Sequence, residues 1–400
     1  MPSFSVKELA TSDLIDTRCP LPVFHDGKLF LLGCRVDKAN ILNVDDLQLV
    51  NVDVSDPDRL SNITRLFDFK AVTKSTYVIK TLHIRSGTLV IDRYEYDLDA
   101  MTVSRTEEAT YSLSWISAWE ELEESVVIPP YLWVTFDKET SYAKYVDLRD
   151  GSEISWDTGF GSYFPRFSSM WVIRKDDIYM LIGKHQAGSN HMMCKLYSKT
   201  ITDLGFSTGG GSPRPCANPS FFCNETLLIA SSGGVDDADN DIAILDADFN
   251  LKKTIDLASI TGWASNEIML GGFNIFAKAR DGSKYYALLA VADNSGAKYT
   301  ATRVYLLELD SQLNVTNSTL IKEISKGEWA LGNGGLAYCS RPVFVTNRKK
   351  IYVFGMSYPN AIYVVELDVS DIYDTYEFNK YMWYLNSRIP TSLTLQVTPL

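Results

Sequence analysis

A repeat of short apolar segments most constrains how this chain can fold. Seven times along the 400 residues, an apolar, β-branched or aromatic run is followed by a second run that ends in a polar, usually acidic turn. The turns end at Asp46, Asp99, Asp150, Ser198, Asp246, Asp310 and Asp368. Their mean spacing is about 54 residues, so seven units need roughly 380 residues and nearly fill the chain.

Repeats of this length, each built from several short strands, are typical of the blades of a β-propeller. Helical repeats would need a 3.6-residue apolar period, and only SAWEELEES (Ser117–Ser125) could form a helical turn or two. We therefore predict an all-β fold, a seven-bladed β-propeller with four-stranded antiparallel blades, with six or eight blades as alternatives. The prediction is one domain over 1–400, with blades at approximately 19–60, 61–110, 111–160, 161–210, 211–262, 263–325 and 326–380.

A second repeat, C-x-x-P-x-F, begins at Cys19, Cys216 and Cys339. Proline suits the first residue of a strand, so these segments are predicted to enter the innermost strands of blades one, five and seven. Their cysteines are predicted to be buried thiols, with a Cys19–Cys339 disulfide or a thiol ring binding a soft metal as alternatives. Asp-Gly pairs at 26–27 and 281–282 predict hairpin turns.

Closure of the ring requires one terminus to complete a blade, because an open propeller leaves bare strand edges. Two segments have the alternating pattern of an outer strand, the N-terminal Phe4–Leu9 and the C-terminal Ser392–Thr398. The sequence leaves the choice between them open.

Blade five resembles a kelch repeat over Gly233–Lys253. Paired glycines end its second strand, and Asn240-Asp241 leads into a strand that closes on Leu245-Asp246. Blade seven is similar but has Met356 in place of the second glycine, and blade five lacks the late tryptophan of a kelch unit. The resemblance implies a β-propeller of degenerate kelch-like repeats.

Composition excludes several function classes. With 38 Lys and Arg against 50 Asp and Glu, the net charge is −12, which disfavours nucleic acid and anionic membranes as partners. No apolar stretch is long enough for a transmembrane helix, and the N-terminus lacks a secretory signal. Localisation is therefore unknown, with the cytoplasm or a virus particle as expectations. The six cysteines are scattered, as in a protein of reduced thiols.

Two loops contain residue types that bind metals. His185, His191 and Cys194 could ligate zinc but lack a visible fourth ligand. Asp237, Asp239 and Asp241 match the first positions of a calcium loop, but Ile242 occupies the glycine position. Whether either loop binds a metal stays open. The glycine clusters at 209–211, 271–272 and 332–335 precede no Lys-Ser or Lys-Thr, and are predicted to lie at crossings between blades.

Two short motifs suggest glycan chemistry. Ser155-Trp156-Asp157-Thr158-Gly159 resembles the Asp-box of sialidases, and Ser387-Arg388-Ile389-Pro390 resembles their Arg-Ile-Pro motif. The resemblance implies that Arg388 binds a substrate carboxylate. However, the Asp-box occurs once, has Ser162 in place of its closing tryptophan, and follows the blade-three turn.

No complete catalytic set is visible, so no catalytic, cofactor-binding or metal residue is assigned and no cofactor is predicted. We expect a non-enzymatic propeller that binds a protein partner or self-assembles. A narrower hypothesis is that it is a structural or attachment protein of a virus particle or cell surface. The alternative is a propeller that binds or hydrolyses glycans. Aromatic residues near the blade crossings are candidate partner anchors or blade-packing residues: Trp115, Trp119, Trp156 and Trp171.

Overall fold

Seven four-stranded antiparallel sheets make up the described part of the protein. The structure is a computed structural model. It describes residues 3–10, 21–34, 38–53, 65–85, 87–113, 125–128, 131–135, 142–157, 165–174, 177–184, 190–207, 220–222, 225–231, 241–256, 260, 267–279, 281–293, 301–325, 343–345, 350–357 and 361–368.

Six of the sheets are formed by four strands that follow one another along the chain. The first strand of the chain, β1 (Phe4–Ala10), precedes all six. Blade 1 contains β2 (Leu21–His25), β3 (Lys28–Cys34), β4 (Lys38–Asn43) and β5 (Gln48–Asp53). Blade 2 contains β6 (Arg65–Ala71), β7 (Thr76–Arg85), β8 (Thr88–Asp97) and β9 (Thr102–Ser112). Blade 3 contains β10 (Ser125–Ile128), β11 (Tyr131–Thr135), β12 (Tyr142–Asp147) and β13 (Glu153–Asp157).

The same order continues through the second half of the chain. Blade 4 contains β14 (Pro165–Arg174), β15 (Asp177–Lys184), β16 (Met192–Lys195) and β17 (Thr200–Asp203). Blade 5 contains β18 (Ser220–Phe222), β19 (Glu225–Ser231), β20 (Asp241–Asp246) and β21 (Leu251–Asp256). Blade 6 contains β22 (Glu267–Lys278), β23 (Lys284–Asp293), β24 (Ala301–Asp310) and β25 (Val315–Ser325). Blade 7 contains β26 (Val343–Val345), β27 (Lys350–Ser357) and β28 (Ala361–Asp368), with β1 as its fourth strand.

The N-terminal strand closes the ring. β1 pairs antiparallel with β28 over seven residues, from Phe4 opposite Leu367 to Ala10 opposite Ala361. The Asp368 N–H also donates to the Ser3 carbonyl at 2.8 Å. Joining the first strand of the chain to the last blade removes two bare strand edges from the ring. The C-terminal alternative, Ser392–Thr398, lies outside the described residues.

The first strand of each blade forms the inner edge of its sheet. The first strands of consecutive blades lie against one another, as β6 does with β10, β10 with β14, and β18 with β22. The segments predicted from C-x-x-P-x-F lead into β2, β18 and β26, each the first strand of its blade, as predicted. Cys19, Cys216 and Cys339 lie outside the described residues, so the proposals for their thiols stay predictions.

The core lies between neighbouring blades rather than inside any one of them. In β3, the consecutive residues from Leu29 to Leu32 are all at most 5% exposed, so this strand is covered on both faces. One apolar cluster joins blades 1 and 2, around Ile41 and Tyr94, and another joins blades 5 and 6, around Ile244 and Phe273. Burial on both faces explains why the second-strand runs are continuously apolar instead of alternating.

An aspartate holds the turn between the third and fourth strands in five blades. Each accepts a hydrogen bond from the N–H two residues later, at 2.8–3.1 Å: Asp46, Asp97, Asp147, Asp246 and Asp310. Such Asx turns mimic a backbone turn. A left-handed residue completes the turn in six blades: Leu47, Met101, Gly151, Lys199, Phe249 and Leu313. Part of the negative charge therefore belongs to the fold.

The two Asp-Gly pairs form different turns. Asp26 and Gly27 both have positive φ, 47° and 73°, as the predicted type I′ hairpin requires. In the Asp281-Gly282 pair of blade 6, Gly282 has positive φ but Asp281 does not, and the Ala279 N–H donates to the Lys284 carbonyl around a wider loop. The helical segment predicted at Ser117–Ser125 lies outside the described residues except Ser125, which begins β10. No helix in the described ranges is long and apolar enough to cross a membrane.

Candidate functional site: the turn face

In each of blades 1 to 6, the first and third strands end on the same side of the molecule, because consecutive antiparallel strands reverse direction. We call this side the turn face; it contains the turns after the first and third strands. Exposed aspartates recur there in five blades: Asp26, Asp45, Asp46, Asp99, Asp150, Asp248 and Asp281. The described part of the turn face therefore presents recurrent carboxylates, together with exposed cations at Lys74, Arg149 and Lys199.

A group of aromatic and cationic side chains lies on the turn face between blades 3 and 4. We call it the tyrosine–arginine patch, and it consists of Tyr131, Tyr145, Arg149 and Tyr197. The rings of Tyr131 and Tyr145 meet edge to face, with centroids 5.4 Å apart. The Arg149 guanidinium lies over the Tyr131 ring, with Cζ 5.7 Å from the centroid. Tyr197 is 50% exposed, and the Arg149 side chain is 60% exposed.

Asp147 fixes the orientation of the arginine. Arg149 Nε donates to Asp147 Oδ1 at 2.9 Å, while the aspartate is only 7% exposed. The guanidinium of Arg149 lowers the pKa of Asp147, and the carboxylate in turn raises the pKa of Arg149. Burial, followed by the phenols of Tyr131 and Tyr145, raises the pKa of Tyr197. The patch therefore presents neutral phenols around one oriented cation.

A second group on the turn face joins blades 1 and 2. His25 ends β2, Asp26 follows in the type I′ turn, and Asp99 lies in the β8–β9 turn. His25 Nε2 lies 2.9 Å from Asp99 Oδ1 and 3.9 Å from Asp26 Oδ2. The ligand atoms of the three residues all lie within 4.8 Å of one another. Hydrogen bonds from Ser75 and His25 lower the pKa of Asp99.

Blade 2 also contains a buried charged group. His83 Nδ1 lies 3.1 Å from Asp92 Oδ2, and Arg105 Nη2 donates to Asp92 Oδ1 at 2.8 Å. The side chains of His83 and Asp92 are fully buried, and that of Arg105 is 15% exposed. One carboxylate is thus shared by a guanidinium and an imidazole away from solvent, and we assign this group to the stability of the blade.

The structure does not bring together His191 and Cys194, which the sequence suggested as zinc ligands. His191 packs on Phe206, with ring centroids 5.1 Å apart, and Phe206 belongs to the cluster shared with blade 5. Cys194 instead packs in the cluster on the blade 3 side. Burial lowers the pKa of His191 to about 4 and raises the pKa of the Cys194 thiol, so both are neutral. His185 lies outside the described residues.

Most other residues singled out in the sequence lie outside the described ranges: Trp115, Trp119, Asp237, Asp239, Arg388 and the glycines of 209–211 and 332–335. Asp241 begins β20, which ends at Asp246. Gly271 and Gly272 were predicted at a crossing between blades, but they lie within β22, where its register with β23 shifts. Trp156 packs against the blade 4 cluster, so it serves blade packing. Trp171 lies in β14.

Five arginine side chains in blades 2, 3 and 6 each pair with a carboxylate on their own sheet: Arg85 with Glu107, Arg93 with Glu95, Arg105 with Asp92, Arg149 with Asp147, and Arg303 with Glu323. The segment resembling an Asp-box, Ser155–Asp157, lies in the fourth strand of blade 3, after the turn. These five arginines do not form the arginine cluster that a sialidase site requires.

Sequence reasoning missed both groups on the turn face. It examined tryptophans, whereas the exposed aromatic residues of the patch are tyrosines. It assigned His25 and Asp26 only to a hairpin and Asp99 only to a turn. His25 and Asp99 are 74 residues apart in sequence, and no local pattern links them.

No protein-family model matches the chain, and no curated protein matches it. Solved structures with a related arrangement include the mitotic checkpoint complex, at 10% identity over 91% of each chain and a TM-score of 0.43. The WD40 domain of SCAP from fission yeast is 9% identical over 86% of this chain and 82% of that one, with a TM-score of 0.38. Chaetomium thermophilum Sqt1, bound to the N-terminus of a ribosomal protein, is 13% identical over 84% and 93%, with a TM-score of 0.39. At these TM-scores the similarities carry no conclusion about function.

Proposed function

We propose that the protein is a non-enzymatic interaction module that binds a basic protein partner through its turn face, centred on the tyrosine–arginine patch. The observation that carries this proposal is the patch itself. Tyrosine and arginine are enriched among the few residues that dominate binding energy at protein interfaces. Here they are held in one orientation by Asp147 and by edge-to-face packing before any partner binds.

Charge complementarity supports a basic partner. Exposed aspartates recur on the turn face in five blades, with Asp150 directly after Arg149 in sequence, and the whole chain has a net charge of −12. Acidic surfaces attract basic partners over about a Debye length, roughly 8–10 Å at physiological salt, and accelerate their association. We therefore expect the association rate to fall as the salt concentration rises.

The experiment compares three immobilised forms of the full chain in extracts of the source organism: wild type, Tyr197→Ala and Leu320→Ala. Leu320 is a matched control because it is 46% exposed but lies in the outer strand β25. A protein captured by the wild type and the control but depleted on Tyr197→Ala is then produced recombinantly and titrated. We expect Tyr197→Ala to weaken binding by about 30-fold, the effect of losing a 2 kcal/mol hot spot.

Equal affinity of the recombinant partner for wild type, Tyr197→Ala and Arg149→Ala would refute the assignment of the patch. The narrower setting, a structural or attachment protein of a virus particle or cell surface, stays a prediction. Glycan binding or hydrolysis also stays a prediction, and a glycan-binding screen together with a sialoside turnover assay tests it. Self-assembly is distinguished by measuring the mass of the purified protein in solution.

A further inference from the structure

The imidazole of His25 is oriented by contacts on the side away from the two carboxylates. Its Nδ1 lies 3.3 Å from the carbonyl oxygen of Lys74. A carbonyl only accepts hydrogen bonds, so Nδ1 donates to it in the tautomer that carries the proton on Nδ1, and that tautomer leaves the Nε2 lone pair available to a metal. The side chain is only 10% exposed, and its ring packs at a tilt beside Phe30, with centroids 6.3 Å apart. Nε2 is thereby directed at Asp99 and Asp26.

The hydrogen bonds that hold His25 and Asp99 are of the kind that usually support metal ligands. A histidine that binds a metal usually donates its other ring N–H to a backbone carbonyl or a carboxylate, which sets the tautomer. Carboxylate ligands are in turn held by hydrogen bonds. His25 has the first kind of support from Lys74, and Asp99 has the second from Ser75.

The three ligand atoms lie close enough together to share one cation. Nε2 of His25 lies 2.9 Å from Asp99 Oδ1. A proton on Nε2 would satisfy Asp99 alone, because Asp26 Oδ2 is 3.9 Å away and beyond hydrogen-bond distance. A divalent ion can bind all three atoms. Zinc bonds of about 2.0–2.2 Å in tetrahedral geometry place ligand atoms roughly 3.3 Å apart, between the two observed distances.

We propose that His25, Asp26 and Asp99 form a zinc-class divalent metal site on the turn face, bridging blades 1 and 2. One imidazole and two carboxylates suit zinc, whereas calcium and magnesium prefer all-oxygen sites. Asp26 is held at the first position of the type I′ turn, and its side chain is 86% exposed, so its carboxylate has room to rotate onto the ion. Three protein ligands leave the fourth position open to water.

The site is tested with Zn²⁺ itself on the full chain, after removal of bound metals with a chelator. Isothermal titration compares wild type, His25→Gln and Asp99→Asn, with Asp281→Asn as the matched control. Asp281 precedes Gly282, so it belongs to the second Asp-Gly pair, and its Oδ1 accepts hydrogen bonds from the N–H and the hydroxyl of Ser283. We expect one Zn²⁺ per wild-type chain at micromolar concentration, at least about tenfold weaker binding in both ligand variants, and unchanged binding in the control.

Two further measurements distinguish a loss of metal binding from a loss of folding. Urea midpoints without metal establish that His25→Gln folds, and added Zn²⁺ should raise the midpoint of wild type but not of His25→Gln. Co²⁺ should give tetrahedral visible absorption bands in wild type that are absent in His25→Gln. Zn²⁺ binding of equal affinity in wild type and His25→Gln, or no binding at micromolar Zn²⁺, would overturn the proposal; the latter would assign the contact to a hydrogen bond from His25 Nε2 to Asp99.

Discussion

Asp177 is the carboxylate that joins the start of β15 to the β16–β17 turn in blade 4. It is only 9% exposed, and both of its oxygens accept hydrogen bonds. Oδ1 accepts from the Ile178 and Tyr197 N–H groups at 2.8 and 2.9 Å. Oδ2 accepts from the N–H and hydroxyl of Ser198 at 3.2 and 2.6 Å.

Replacing Asp177 by asparagine keeps the shape but exchanges one acceptor for a donor. Oδ1 can still accept from Ile178 and Tyr197, whereas the new amide NH₂ faces the Ser198 N–H. The Ser198 hydroxyl can turn towards Thr200 Oγ1, 3.2 Å away, so one backbone donor loses its acceptor. An unsatisfied donor of this kind costs about 1–3 kcal/mol, which is the expected loss of unfolding free energy at neutral pH.

The loss should depend on pH. Burial by itself would raise the pKa of Asp177, but the hydrogen bonds from Ser198, Tyr197 and Ile178 outweigh it and lower the pKa. A carboxyl with a lowered folded-state pKa stabilises the protein above its unfolded pKa, near 3.9, and loses that contribution as the pH falls through the folded value. The difference between wild type and Asp177→Asn should therefore be constant from about pH 5 upwards and shrink below about pH 4.

Urea unfolding followed by tryptophan fluorescence, at several pH values between 3 and 7, measures this difference. Asp281→Asn is the control, because the hydrogen bonds it accepts from Ser283 all fall on Oδ1 and asparagine can keep them. We expect the control to stay within about 0.5 kcal/mol of wild type at pH 7. A difference for Asp177→Asn that is the same at pH 3 and pH 7 would refute the role of a charged carboxylate.

Three other changes test the fold. In Gly151→Ala, the new Cβ would lie 2.3 Å from Tyr111 Cδ1 at a φ of +77°, so we expect a loss of about 2–4 kcal/mol in urea unfolding, partly recovered when Tyr111→Ala is added. Asp92→Ala leaves the Arg105 charge without its carboxylate and should lower stability by about 3–5 kcal/mol; a loss below 1 kcal/mol would contradict the assignment. Deleting 1–10 removes β1, so the thermal midpoint should fall and recover when the corresponding peptide is added; an unchanged midpoint would show that β1 is dispensable.

Short sequence patterns predicted much of the fold. The type I′ hairpin at Asp26-Gly27 was predictable because few residue pairs tolerate positive φ at both positions. The acidic turns were predictable because an aspartate can bind the N–H two residues later, as Asp246 and Asp310 do. Both patterns depend on only a few neighbouring residues, so they can be read from the sequence. Their regular spacing predicted seven blades, with six or eight as alternatives, and the structure has seven four-stranded sheets.

Contacts between distant segments were decided only by the tertiary structure. Two termini had suitable patterns, and pairing with β28 selected Phe4–Ala10 because that pairing completes blade 7. His191 and Cys194, close in sequence, lie against opposite neighbouring blades because successive strand residues alternate faces.

Packing of one blade on the next likewise created the candidate sites. It brought His25 to Asp99 across 74 residues, and Tyr197 of blade 4 to Tyr131 of blade 3. The sequence by itself determined a ring of similar blades, because strand periodicity and turn chemistry are local. The tertiary structure decided which side chains meet on the turn face, because those contacts depend on how whole blades pack against one another.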